Sequence, residues 1–87
     1  MAQVTVYTTM FCPYCHRAKA LLKDKGIEFE EIDVMMDPAR RHEMTERSGG
    51  GRTVPQVLID GEPVGGCDDL HELERQGRLD QLLGIAA

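Results

Sequence analysis

The sequence predicts an α/β fold in the order β-α-β-α-β-β-α: a four-stranded mixed sheet flanked by helices. Three observations predict it. A β-branched and aromatic run, Val4-Thr5-Val6-Tyr7-Thr8, passes within a few residues into a helical pattern that starts at Pro13. A second strand-like run, Ile27 to Val34, follows that helix, and two strands joined through a helix are parallel with a right-handed crossover. Further on, Asp60-Gly61 separates two short apolar runs as a tight-turn pair does in an antiparallel hairpin.

Taken in order, Val4 to Thr8 is the first strand. From Pro13 to about Lys25 the apolar residues Tyr14, Ala18, Leu21 and Leu22 recur at helical spacing, and Gly26 stands where a C-cap belongs. Ile27 to Val34 is the second strand. Its alternation slips phase between Phe29 and Ile32, which predicts a bulge. Asp37 is an N-cap with Pro38 at the first helical position, and the helix runs to Arg47 with Met44 as its main apolar anchor. Gly49-Gly50-Gly51 ends it in a loop.

Gln56 to Ile59 is the third strand, and Pro63-Val64 starts a short fourth at a sheet edge, because a proline cannot donate to a ladder. Gly65-Gly66 leads to Asp68-Asp69, acidic residues that favour the start of a third helix. That helix buries Leu70 and Leu73 and closes at Gly77, after which Leu79, Leu82 and Leu83 form a last turn folded onto the core. With no repeats, linkers or low-complexity tracts, residues 1–87 read as one domain.

Composition narrows the function. A chain with 41% hydrophobic and 29% charged residues is ordinary for a globular protein. A net charge of -5 argues against general nucleic-acid binding, and no apolar run has the length of a membrane span. The start, Met1-Ala2-Gln3-Val4, has neither a basic nor an apolar leader region, so the expected location is the cytoplasm. There a Cys-x-x-Cys pair is catalytic or metal-binding, not a structural staple, and the odd third cysteine, Cys67, also fits a disulfide framework poorly.

The chemistry concentrates in Cys12-Pro13-Tyr14-Cys15. A strand that turns straight into a helix puts Cys12 at the helix N-terminus, where unpaired N–H groups and the helix dipole favour negative charge and so the reactive thiolate. Pro13 has no N–H to leave unpaired and a preset φ, which suits the helix start. Cys15 follows on the same face, near enough to close a small ring with Cys12, one turn in and flanked by aliphatic residues. The pair is a candidate dithiol redox centre.

Cys12-Pro13-Tyr14-Cys15 after a first strand, Thr53-Val54-Pro55 before a third, and Gly66-Cys67-Asp68-Asp69 opening the last helix together resemble a dithiol glutaredoxin of the small bacterial glutaredoxin 3 type, over the whole chain. The resemblance implies a thioredoxin fold and a glutathione-dependent oxidoreductase that reduces protein disulfides and glutathione mixed disulfides. It implies Cys12 as the attacking thiolate and Cys15 as the resolving thiol. It places glutathione against Tyr14, Arg41, Thr53, Val54, Pro55, Gly66, Cys67 and Asp68: the cysteinyl part on the Val54 backbone beside a cis-proline loop, the γ-glutamyl end on Gly66, Cys67 and Asp68, and the glycyl carboxylate near Arg41. Glutathione is then a co-substrate, with no tightly bound cofactor and no metal. The implied partners are glutathionylated or disulfide-containing proteins (ribonucleotide reductase among them) and, through glutathione, glutathione reductase. The implied state is a monomer without nucleic-acid or membrane partners. Two places depart from the family pattern: Thr9 stands where many relatives carry a lysine, and the Gly49-Gly50-Gly51 loop is about one residue longer.

Other readings compete for the same residues. Cys12 and Cys15 form half of a zinc site, for which the remaining candidates are His16, His42, Cys67 and His71, without a second Cys-x-x-Cys. Cys12 to His16 also satisfies the c-type haem pattern, but that attachment needs export, and His16 reads as an exposed helix residue. A redoxin served by thioredoxin reductase instead of glutathione shares the dithiol and lacks a glutathione groove. An iron–sulfur carrier bridging two chains through Cys12 and glutathione is the rival from another class.

Overall fold

Alternation along β1 (Val4–Thr8) supplies both faces of the sheet: Val4 and Val6 enter one apolar cluster, Tyr7 the other. The computed structural model describes residues 2–85. β1 lies inside a four-stranded sheet ordered β2-β1-β3-β4. It pairs in parallel with β2 (Glu30–Asp33) and antiparallel with β3 (Gln56–Ile59), which in turn pairs antiparallel with β4 (Glu62–Gly65). This is the mixed sheet that the element order predicts. Pro63 does lie in an edge strand, and Asp60 (φ 54°) and Gly61 (φ 81°) make the hairpin turn.

Helix α1 (Pro13–Asp24) starts from Cys12, whose extended backbone (φ -94°, ψ 113°) makes it the N-cap, and ends at Lys25, with Gly26 left-handed beyond it. Ala18 and Leu22 of α1, Leu70 of α3 (Cys67–Arg75), and Leu79 and Leu83 of α4 (Leu79–Leu83) cover the Val4, Val6, Val57 and Ile59 face. The opposite face holds Tyr7, Ile32, Val34 and Leu58 under α2 (Pro38–Arg47), whose one buried residue is Met44. The Asp37 carboxylate caps α2 by accepting the Arg40 N–H at 3.0 Å.

Three expectations need correction. The second strand is shorter than Ile27 to Val34, and its ladder with β1 runs without a register shift from Thr5↔Glu30 to Thr8↔Asp33. The phase slip has another cause. Ile27 and Phe29 pack on the α1 side and Ile32 and Val34 on the α2 side, so residue parity is unbroken while the covered face changes. The irregular pairing lies instead between β3 and β4, at Val57/Leu58, close to Pro63 and to Gly65 with φ 105°. Finally, Leu79 and Leu83 are fully buried but Leu82 is 40% exposed, because a single helical turn seats only its i and i+4 side chains; Leu73 is half-buried.

β1 and β2 end at the same edge of the molecule at which β3 begins. The segments Thr9–Cys12, Met35–Asp37 and Thr53–Pro55 therefore converge there.

Candidate active site

The two thiols sit in different surroundings. Cys12 is half-buried at the helix mouth, where its Sγ receives the Cys15 N–H at 3.3 Å and donates to the Val54 carbonyl at 3.7 Å. Accepting a first-turn N–H is what an N-cap side chain does, and a sulfur bearing negative charge accepts it better than a neutral thiol. Cys15, one turn in, has no exposed surface; burial pushes its thiol up to about 11, and the neighbouring Cys12 sulfur adds to the rise. One sulfur is thus reachable at the helix mouth, and the other is sealed and held as a thiol.

Beside Cys12 runs a groove of about 430 Å³. One wall is the loop Thr53, Val54, Pro55, in which the Val54–Pro55 peptide is cis. The other wall is Gly66, Cys67 and Asp68, and Tyr14 of α1 also lines the groove. The walls approach closely: a Cβ on Gly66 would stand 3.3 Å from the Pro55 carbonyl oxygen. Tyr14, Thr53, Val54, Pro55, Gly66, Cys67 and Asp68, scattered through the sequence, are therefore brought together. Arg41 is not among the lining residues; it is exposed, with its guanidinium 3.5 Å from the Arg52 carbonyl, next to the start of the Thr53 loop.

One lining residue, Gln56, escaped the sequence reading, whereas a second, Asp69, is the acidic residue expected at the start of the third helix. Gln56 is buried at the head of β3, and its Nε2 donates to the Thr53 carbonyl at 2.9 Å, bracing the loop; a polar residue opening an otherwise apolar strand was the available signal. Asp69 accepts the Gly66 N–H at 3.0 Å, and a side chain on Gly65 would collide with its carboxylate. Cys67 lies 5% exposed, its thiol raised first by burial and then by Asp68, with its Sγ 3.5 Å from His71 Nδ1. His16 is exposed as expected, yet its ring does something: Nε2 lies 3.2 Å from the Met10 carbonyl and links the first turn of α1 to the loop before Cys12.

A larger hollow of about 570 Å³ lies at the far end of the sheet, between the start of β1 and residues Ile27–Glu30, and no cysteine or histidine borders it. Size does not mark the chemistry here; the smaller groove beside the paired thiols does. Among the described residues no three His, Cys, Asp or Glu side chains gather as a metal site, and no helix is long and apolar enough to cross a membrane.

A thioredoxin fold with a Cys-x-x-Cys at the start of its first helix defines a thiol–disulfide oxidoreductase. The family model described as Glutaredoxin matches residues 4–64. The chain is 54% identical over 83 residues to "Glutaredoxin 3" of Escherichia coli strain K12, covering 95% of this chain and 99% of that protein. Among solved structures, a solution structure of a glutaredoxin from Brucella melitensis aligns with a TM-score of 0.83 at 55% identity, covering 98% of this chain and 91% of that one. A buckwheat glutaredoxin–glutathione complex aligns with a TM-score of 0.85 at 32% identity over 99% and 83% of the two chains. The chain belongs to the glutaredoxin family, and its likeness is to the bacterial glutaredoxin 3 type.

Proposed function

We propose that the chain is a single glutaredoxin domain, active as a cytoplasmic monomer, that reduces glutathione mixed disulfides and protein disulfides with glutathione as electron donor. The observation that carries this reading is the contrast between a reachable Cys12 and a sealed Cys15 beside a groove walled by the Thr53–Pro55 loop and the start of α3. The buckwheat relative was solved with glutathione, which supports the groove as the place for that tripeptide.

In the proposed cycle, Cys12 thiolate attacks the glutathione sulfur of a glutathionylated protein. A new Cys12–glutathione bond forms, the old S–S bond breaks, and the protein leaves as a thiolate that takes a proton from water. A second glutathione thiolate then attacks the glutathione sulfur on Cys12 and leaves as oxidised glutathione. With a protein disulfide, Cys12 is joined to one substrate sulfur instead; Cys15 then attacks the Cys12 sulfur, and the substrate leaves as a thiolate that takes up the proton Cys15 gives. The Cys12–Cys15 bond is returned to two thiols by two glutathiones, which leave as oxidised glutathione. The Val54 backbone, just ahead of β3 and on the groove wall, supports strand-like pairing with the cysteinyl part of glutathione, and the first turn of α3 at Gly66, Cys67 and Asp68 supports its γ-glutamyl end. Arg41, outside the groove lining, is within reach of the glycyl carboxylate only if its side chain swings from Arg52.

The test is coupled turnover of a glutathione mixed disulfide with glutathione, glutathione reductase and NADPH. Wild type and Cys15→Ser are expected to be active and Cys12→Ser silent, while Cys15→Ser loses reduction of a protein disulfide. Silence of the wild type with glutathione, and activity with thioredoxin reductase, would move the chain to the rival redoxin class.

A further inference from the structure

Large apolar side chains are exposed unevenly over this molecule. Of the seven found among the described residues, Met10, Phe11, Tyr14, Met35 and Met36 all belong to the cysteine end, and only Leu82 and Ile85 lie elsewhere. Phe11 is 78% and Met36 90% exposed, so neither contributes packing to the fold. Clustered exposure of this kind marks an interaction surface.

β1 stands between β2 and β3, so the loop that carries Cys12 has the start of β3 on one side and the end of β2 on the other. The groove occupies the β3 side. Met35 and Met36 follow directly on the β2 side, where the Val34 N–H still bonds the Thr8 carbonyl at 3.0 Å, so the two strands leave the sheet side by side just before Met10 and Phe11. The turn that presents the methionines is held in place. Asp33 accepts the Met35 N–H at 2.8 Å, and Asp37 caps α2 through the Arg40 N–H at 3.0 Å. Both carboxylates that flank the methionines are thereby engaged with backbone, and residues 9–14 and 34–36 include no Asp, Glu, Lys, Arg or His.

We propose that Met10, Phe11, Met35 and Met36 form a ledge that docks the polypeptide half of the disulfide, selecting an extended segment with a large apolar residue next to its reactive cysteine. The inference rests on the thiol–disulfide exchange proposed above. Displacement at sulfur is in line, so the two halves of a mixed disulfide point apart. With glutathione in the groove, the polypeptide half is left to the other border of Cys12, and that border is the ledge. Charge would not recommend the ledge to a ligand; apolar contact does. Methionines suit the task, since an unbranched, polarizable side chain repacks against differently shaped apolar partners.

The experiment compares two glutathionylated peptides of equal charge that differ only at the residues flanking cysteine, leucine in one and serine in the other. Wild type is expected to show about tenfold higher kcat/KM for the leucine peptide, carried by KM, from partial burial of two or three apolar side chains. Met10→Ser combined with Met36→Ser is expected to bring the two peptides within about twofold, with turnover of the hydroxyethyl–glutathione mixed disulfide unchanged. Equal or reversed preference in wild type overturns the ledge, as does a preference that survives in the double variant. Failure of wild type on the hydroxyethyl substrate is the different result that removes the underlying exchange chemistry.

Discussion

The two faces of the sheet are covered in different ways. The face under α1, α3 and α4 is closed almost wholly by aliphatic side chains, among them Leu22, Leu70, Leu79 and Leu83, all without exposed surface. The face under α2 has a smaller cluster, and one of its members is Tyr7, whose hydroxyl donates to Glu43 at 2.6 Å and accepts from Arg47 at 2.7 Å. Both thiols and the Gly66–Asp68 wall belong to helices of the first face. Elements that must hold sulfur and groove in register are thus anchored where burial is deepest, and the helix away from the thiols is held by one methionine and a polar tie.

The largest expected effect tests that asymmetry directly. Leu22→Ala should lose about 3 kcal/mol of stability, since the surrounding aliphatic layer cannot collapse onto the space. Met44→Ala should lose less, about 2 kcal/mol, because α2 has a single anchor and can settle toward the sheet. Urea unfolding of the two variants gives the comparison. A Met44 loss equal to or greater than the Leu22 loss would break it.

The next effect belongs to Cys15, which is buried on the α1 face. Its folded thiol, at about 11, lies above the roughly 8.5 of an unfolded cysteine. The unfolded chain therefore ionises first as pH rises. The contribution is complete below the unfolded value and disappears progressively as pH climbs through the folded one. Reduced wild type should lose about 3 kcal/mol relative to Cys15→Ala between neutral pH and pH about 11, measured by urea unfolding across that range. A pH-independent difference would mean that the thiol is not held neutral by burial.

Much of this arrangement was legible in the residues. β1 and β3 read correctly because each is a compact run of β-formers, and α1 and α2 because a proline at the first helical position follows a capping residue in each. The second strand misled because alternation reports which face is covered, and cover passes from the α1 side at Phe29 to the α2 side at Ile32. In the site, Tyr14, the Thr53–Pro55 loop and Gly66–Asp68 were legible through motif likeness. Asp69 was legible as an acidic residue at a helix start; Gln56 was not, because its contribution is a hydrogen bond to a neighbouring backbone group, which leaves no periodic trace. The Tyr7 tie was hidden for the same kind of reason: its partners lie 36 and 40 residues away.

Tyr7→Phe sharpens the comparison from the other face. The ring stays in place while the hydroxyl's two bonds vanish, and the groups left behind, Glu43 and Arg47, are partly exposed and can turn to water. The loss should be about 1 kcal/mol. Burial and the Glu43 contact also raise the phenol, so it remains protonated through the neutral range. A loss several times larger would show that the polar tie, not Met44, holds α2.

The smallest effect is expected at the rim of the aliphatic face. Lys25, at the end of α1, pairs with Glu74 of α3 at 2.7 Å and with Asp80 of α4 at 2.5 Å. The arrangement straps three helices together, but its carboxylates are 40% and 46% exposed, so water and salt screen it. Lys25→Met should lose less than about 1 kcal/mol at neutral pH. Asp80 first and Glu74 second raise the Lys25 ammonium, so whatever the strap contributes is present below the unfolded lysine value of about 10.4 and is lost as pH rises through the folded value. Urea unfolding of both proteins at low and high salt decides the matter. A salt-insensitive loss well above 1 kcal/mol would mean that the three helices are held together by charge at their rim, and that aliphatic burial alone does not distinguish the face that carries the thiols.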